Sequence, residues 1–255
     1  MDIIDCTNQK GGVSKSVTAY NLSLYISQIR NKRTLHLDAD EQGNSGDSLP
    51  SYRFAGFDTA LFFGKDPIVL PEFQGNLLST TATPALRDIE KGANGMSDKE
   101  LLETLKVRLS EIKDFFDYVV VDTAGSNSRV ANIFLLVANY VFIPTTIDPY
   151  SIKITQNTLK RVIGVQQSYN KNLVNLGLLP TRIDTKSTTV KNDLESLIKN
   201  YSRYLLPART VERQAYRTAA GKCVAVWDLK STGAEREAGK EMLSVFDVIA
   251  EKIGV

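Results

Sequence analysis

Gln9-Lys10-Gly11-Gly12-Val13-Ser14-Lys15-Ser16 follows a short β-prone run, Asp2-Ile-Ile-Asp-Cys6, and precedes a stretch where Val17, Tyr20, Leu24 and Ile29 recur at roughly helical spacing. Two lysines bracket a glycine pair, and a hydroxyl follows the second lysine. A strand, a small-residue loop and a helix in that order can wrap polyphosphate. The glycines let backbone N–H groups approach phosphate oxygens, and the helix N-terminus adds partial positive charge. Lys15 can reach the terminal phosphates and Ser16 can ligate Mg²⁺. The bland alternative is a βα connection with two exposed lysines; the flanking strand and helix favour the phosphate loop.

Moving outward, Leu35-His-Leu-Asp38-Ala-Asp40-Glu-Gln42-Gly43-Asn44 closes a strand on one aspartate and places a second two residues beyond it. That is the carboxyl edge, where open α/β sheets bind ligands. Taken alone, such a pair is equally well a polar loop start. Val119-Val-Val-Asp122-Thr-Ala-Gly125 is an apolar strand ending in an acid that can hold Mg²⁺ through a water, with a glycine that lets backbone approach a γ-phosphate. Each is a weak signal alone; the three in this order are strong.

The remaining chain alternates short apolar runs with amphipathic stretches. Strands are expected at Ile3–Thr7, Thr34–Asp38, Leu77–Thr80, Tyr118–Asp122, Tyr140–Pro144 and Leu173–Ile183. Helices are expected at Ser16–Arg30, Asp98–Lys113, Arg129–Val137, Ile152–Tyr169, Val190–Asn200, Val211–Gly221 and Ala234–Ile253. The alternation predicts an α/β fold, a mostly parallel central sheet with helices on both faces. Gly43 to Gly75 is the least regular stretch, expected to form loops and short helices at a dimer surface. His36, between two leucines, reads as a structural histidine; Trp227 and the tyrosines read as packing, and Cys6 as a small core residue.

The usual phosphate loop, G-x-x-x-x-G-K-[ST], is not matched, since Gln9 and Ser14 stand at its glycines. The surviving Lys10-Gly-Gly-x-x-Lys15-Ser16 resembles the deviant Walker A loop of the ParA/MinD family of dimeric ATPases, K-G-G-x-G-K-[ST]. The aspartate segment resembles that family's D-x-D-P-Q-[GS]-N, with Glu41 for the proline, and Asp122-Thr-Ala-Gly125 stands where the family shows D-T-P-P or D-T-A-P. Val141-Phe-Ile-Pro144 with Pro149-Tyr-Ser151, Leu178 to Asp184, and Val211 to Asp228 extend the similarity over nearly the whole chain.

The resemblance implies a P-loop NTPase fold, with residues 1–255 as one ParA-like ATPase domain. It implies ATP and Mg²⁺ as ligands and two subunits sandwiching two ATP molecules. Lys15 then acts on its own subunit's phosphates, Lys10 on the partner's, and Asp40 positions the attacking water. ATP contacts are expected from Lys10, Gly11, Gly12, Val13, Ser14, Lys15, Ser16, Val17, Arg182 and Pro207, and metal contacts from Ser16, Asp38 and Asp122. Ser14 for glycine is expected to crowd the phosphate wrap, and Val17 replaces a frequent threonine. The chain resembles the shorter ParA branch, without an N-terminal helix-turn-helix.

Of the 255 residues, 42% are hydrophobic and 24% charged, an ordinary globular composition with room for a large core. Cys6 and Cys223 form no C-x-x-C pair, which argues against zinc, iron–sulfur or disulfide chemistry and for a reduced, cytoplasmic protein. No leader precedes residue 2, and the apolar run Ile133–Ile147, cut by Asn139 and Pro144, is too short to span a bilayer.

Residues 151–222 carry 13 basic and 4 acidic side chains, a net +9 in a chain whose total is +2. That segment suits a polyanion, or is a lysine-rich solvated face. With the resemblance, the first reading becomes nonspecific duplex DNA, contacted by Arg203, Arg209, Arg213, Arg217 and Lys222 with Glu212 as counter-charge. The expected activity is a DNA-segregation ATPase on the nucleoid, released when a ParB-like or centromere-binding partner stimulates hydrolysis. Positioning of a protein cargo is the alternative. A MinD-like membrane cycle is disfavoured because the last helix opposes its apolar face with Glu235, Glu237, Glu241, Asp247 and Glu251.

Overall fold

In a computed structural model, which describes residues 1–125 and 128–255 (for Pro149 the backbone only), the chain alternates strands and helices. In order these are β1 (Asp2–Cys6), α1 (Lys15–Leu24), β2 (Thr34–Ala39), α2 (Asn44–Asp47), β3 (Leu77–Ser79), α3 (Pro84–Glu90), α4 (Asp98–Ile112), β4 (Tyr118–Thr123), α5 (Arg129–Val137), β5 (Tyr140–Thr146), α6 (Pro149–Ser168), β6 (Val174–Thr181), α7 (Thr188–Tyr201), α8 (Gln214–Lys222) and α9 (Gly233–Ile253). The six strands form one sheet in the order β3-β2-β4-β1-β5-β6, every pairing parallel.

The period of two along a strand sorts side chains to opposite faces. Val119 and Val121 of β4 join Leu35, Leu37, Val141 and Ile143 under α4, α5 and α6. Val120 joins Ile4, Cys6 and Phe142 under α1, α8 and α9. Because both faces are covered, all six residues of β4 are buried. Each fully buried valine or leucine contributes about 1.5–3 kcal/mol. As expected, α9 docks by Ala238, Met242, Val245, Phe246, Ile249 and Ile253. Trp227 packs edge-on to Tyr25 and Phe246, and Cys6 is wholly buried.

Local signals explain where boundaries depart from expectation. The first helix loses α-geometry at Leu24 and continues as a π-turn, Tyr25–Ile29, closed by Arg30 N–H donating to the Tyr25 carbonyl. There Arg30 and the Tyr25 hydroxyl both reach Asp247 of α9. Helix α6 starts three residues early because Asp148 caps it and proline opens it. Helix α8 starts three residues late, since Val211 and Glu212 are drawn to Ile183 beyond β6. Helix α3 was unforeseen. The irregular stretch holds α2 and two 3₁₀ turns, Pro50–Tyr52 and Thr59–Phe63.

Candidate nucleotide site

Every charged group singled out in the three motifs lies at or just beyond the carboxyl edge of the sheet. The loop after β1 is held by side chains from other strands. Buried Asn8 donates to the Pro144 carbonyl at 2.7 Å and accepts from Lys10 N–H at 3.0 Å. The Thr181 hydroxyl donates to the Val13 carbonyl at 3.0 Å, and Arg182 Nη1 to the Gly12 carbonyl at 2.7 Å. From beyond β4, Gly125 comes so close that a Cβ there would lie 2.9 Å from Lys15 Nζ and 3.1 Å from Gly11 Cα. Ser14 enters α1 in the left-handed region (φ 69°), where a glycine sits without strain. Its side chain makes no cap hydrogen bond, so the amides of the first turn stay open to an anion. Lys15 is almost buried, its Nζ 3.1 Å from the Lys10 carbonyl oxygen.

Asp38 and Asp122 are register partners on adjacent strands and are both wholly buried. Asp38 Oδ2 accepts from Gly46 N–H at 2.7 Å and Oδ1 from Asp40 N–H at 3.2 Å. Only glycine permits that approach, because a Cβ at position 46 would stand 2.8 Å from the Thr80 carbonyl oxygen. Asp122 is different: neither oxygen has a hydrogen-bond partner among the described residues. Burial raises both carboxyls' pKa values, Asp122 raises that of Asp38 further, and Ser16 and Lys15 pull Asp122 back. A bare buried carboxylate beside a serine hydroxyl and a lysine fits a hard divalent cation. Among the described residues no three His, Cys, Asp or Glu side chains converge.

A cavity of about 460 Å³ opens here, lined by Gly11, Gly12, Ser14, Lys15, Ser16, Val17, Asp40 and Arg182 among the expected residues. Asp40 also borders a second cavity, with Glu41, Glu90 and Gly125. Three expected contacts lie elsewhere. Val13 is buried with its carbonyl taken by Thr181, and Pro207 lines an apolar cavity beside α7. Lys10 faces a third cavity with Asp148. Lys10 Nζ pairs with Asp148 and touches the Ser151 hydroxyl. Burial raises the Asp148 pKa, but hydrogen bonds from Ser151 and the Lys10 charge outweigh it and bring it to about 2.

The expected basic face is divided. Arg213 and Arg217 line the first cavity with Tyr216 and Glu212, whereas Arg203 stacks on Tyr204 and Arg209 borders the apolar cavity. Lys222 ends α8. Glu212 is not the sole counter-charge. It holds Arg182 at 2.5 Å and Arg217 at 3.6 Å, while Glu241 of α9 holds Arg213 at 3.3 Å. Sequence reasoning missed Asp148 and Gly46 as parts of the site, and had Glu212 only as a counter-charge of the basic face. Only Asp148, an acid before Pro-x-Ser, left a readable capping signal.

The family described as "AAA domain" matches residues 1–175. Soj, a chromosome-partitioning ATPase of Treponema pallidum, is 32% identical over 188 residues, 71% of each chain. The chain belongs to the ParA/Soj/IncC family of partition ATPases. IncC of Escherichia coli, another relative, is 27% identical over 97% of this chain and 68% of its own. In fold, this ParA-family chain is similar to a Borrelia burgdorferi plasmid partition protein bound to AMPPNP (TM-score 0.75, 20% identity, 98% of each chain). It is also similar to cobyrinic acid a,c-diamide synthase of Mycobacterium smegmatis bound to ADP and magnesium (TM-score 0.73, 22% identity, 97% and 96% covered). Among the described residues, no helix is long and apolar enough to cross a membrane.

Proposed function

We propose that this ParA-family ATPase binds MgATP in the first cavity, dimerises on it and holds nonspecific duplex DNA until a partner protein stimulates hydrolysis. The observation that carries the nucleotide reading is that Lys15, Ser16 and the open first turn of α1 line one cavity, with the bare, buried Asp122 carboxylate beside Lys15 and Ser16. In this reading the whole chain acts as one unit. Lys15 sets a fixed positive charge against the β- and γ-phosphates, and Arg182 closes the loop from the β6 side. Ser16 and Asp122 would hold Mg²⁺, with Asp38 behind them, and the ion would supply positive charge against the phosphates. Asp40, at the cavity edge, accepts a hydrogen bond from the attacking water. Lys10, once released from Asp148, supplies a charge to the partner subunit's phosphates.

The net +9 of residues 151–222 supports the DNA reading. Pairing two subunits doubles the phosphate contacts and makes the second set intramolecular, so ATP and DNA affinity rise together. The test is a titration of duplex DNA at two salt concentrations with ATP, ADP or no nucleotide, beside light scattering of the same samples. ATP-dependent dimers with steeply salt-sensitive binding are expected, and Lys15→Ala should lose both. Salt-independent binding, or equal binding in ATP and ADP, defeats the DNA reading. An unchanged ATP-induced dimer in Lys15→Ala defeats the loop assignment.

A further inference from the structure

Arg182 stands one residue past β6 with a left-handed backbone (φ 54°), its N–H donating to Thr210 Oγ1 at 3.3 Å. Its guanidinium is committed along two edges. Nε and Nη2 fork onto the two carboxylate oxygens of Glu212, at 2.5 and 3.2 Å, and Nη1 donates to the Gly12 carbonyl at 2.7 Å. The group is planar and rigid, so fixing one edge aims the other. Glu212 is itself placed by backbone, its N–H donating to the Ile183 carbonyl at 3.0 Å beside the Ile183–Val211 bridge.

The next carbonyl of the loop, that of Val13, accepts from the buried Thr181 hydroxyl at 3.0 Å. Two successive peptides therefore turn their carbonyls toward the end of β6. No described peptide is cis, and in a trans peptide the N–H points opposite to the carbonyl. The N–H groups of Val13 and Ser14 thus face away from β6 together, and neither has a hydrogen-bond partner among the described residues. Consecutive amides turned the same way make an anion-binding nest. The two supports differ in kind. The Val13 carbonyl is held from inside the core, whereas the Gly12 carbonyl depends on a side chain that is 37% exposed and is steadied by Glu212. We propose that Glu212 is a positioning residue for the phosphate loop, forking Arg182 so that the Gly12–Val13 peptide keeps its N–H on the anion side; this deepens the nucleotide reading above and rests on it. Without Glu212, Arg182 swings free and the peptide beside the Cβ-less Gly12 can rotate. The competing role, in which Glu212 merely holds back a cation that would otherwise bind phosphate, predicts the opposite sign.

A fluorescence titration of full-length protein with mant-AMPPNP and Mg²⁺ separates the two. Glu212→Gln should raise the half-saturating nucleotide concentration roughly fivefold. Because Glu212 acts through Arg182, adding Glu212→Gln to Arg182→Ala should change the affinity of Arg182→Ala by no more than about twofold. Arg182→Lys keeps the charge without the fork and should behave like Arg182→Ala. Tighter binding in Glu212→Gln, additive losses in the double variant, or full rescue by Arg182→Lys overturns the proposal. The clamp can also be read without nucleotide, in protein labelled with ¹³C-glycine and ¹⁵N-valine. Of the three Gly–Val pairs in the chain, the Gly12 carbonyl alone should shift, in the same sense in Glu212→Gln and in Arg182→Ala. An unshifted Gly12 carbonyl in Glu212→Gln overturns the proposal even where affinity falls. If the parent protein fails to bind mant-AMPPNP, the nucleotide reading falls, while the carbonyl shift still decides whether Glu212 holds the peptide.

Discussion

Lys10 Nζ lies 3.1 Å from Asp148 Oδ2 in its own chain, tying the start of the phosphate loop to the first turn of α6. The same carboxylate caps α6 by accepting from Ser151 N–H at 2.9 Å. One side chain therefore does two things that substitution can separate. Both partners are partly exposed, so the ion pair is weak and can be exchanged for another anion.

Asp148→Asn keeps an N-capping side chain and removes the charge. It is expected to lower the ATP concentration needed for dimerisation, measured by light scattering, while leaving melting temperature within a few degrees. Lys10→Ala should lose dimerisation and keep ADP binding. An Asp148→Asn protein that needs as much ATP as the parent would show that the pair does not restrain Lys10.

Ser14→Gly should stabilise the protein. A left-handed non-glycine residue costs roughly 1–2 kcal/mol, partly offset by the extra freedom glycine gives the unfolded chain. The expected gain in urea unfolding is about 0.5–1 kcal/mol, with nucleotide affinity equal or tighter. Loss of nucleotide binding would mean that the Ser14 hydroxyl has its own role in the cavity.

Asp5, on β1, is wholly buried with no hydrogen-bond partner for either oxygen among the described residues. Burial raises its pKa from 3.8 to about 7 despite the opposing charge of Arg161. The folded state thus keeps this proton longer than the unfolded chain does. The stability it allows is full below about pH 4, falls as pH rises through the interval up to about 7, and levels off above. Asp5→Asn should remove that component. Melting temperatures of parent and variant, subtracted across this interval, should diverge as pH rises; a constant difference sinks the assignment.

The divided basic face predicts divided phenotypes. Arg203→Ala with Arg209→Ala should weaken DNA binding on any sequence, with mant-ADP affinity unchanged. The salt slope should flatten by roughly 0.9 for each DNA phosphate that is no longer neutralised. Arg213→Ala with Arg217→Ala, whose side chains line the cavity, should shift mant-ADP affinity as well. Equal effects of the two pairs on mant-ADP would contradict the division.

The strands, the carboxyl-edge loops and the docked face of α9 were legible because each rests on local periodicity: a β-branched run at Val119–Val121, a helical stripe from Ala238 to Ile253. What stayed hidden depends on register and through-space contact. Nothing local says that Asp38 and Asp122 are cross-strand partners, that Gly46 must lack a side chain because of Thr80, or that His36 lies between serines of two helices, Ser23 and Ser45. Arg213 reads as solvent-facing because its partner, Glu241, stands 28 positions away in sequence. Helix α3 could have been found from Pro84 at its first turn and from the apolar pair Leu86 and Ile89 that it buries.

The π-turn at Tyr25–Ile29 also sets a rule about length. Each residue added to or taken from a helix rotates everything after it by about 100°. Deleting one residue from this turn would swing Arg30 away from Tyr25 and out of reach of Asp247. Related sequences lacking that residue must therefore anchor the far end of α1 by other side chains, and an Asp at position 247 without a five-residue turn has lost its counterpart.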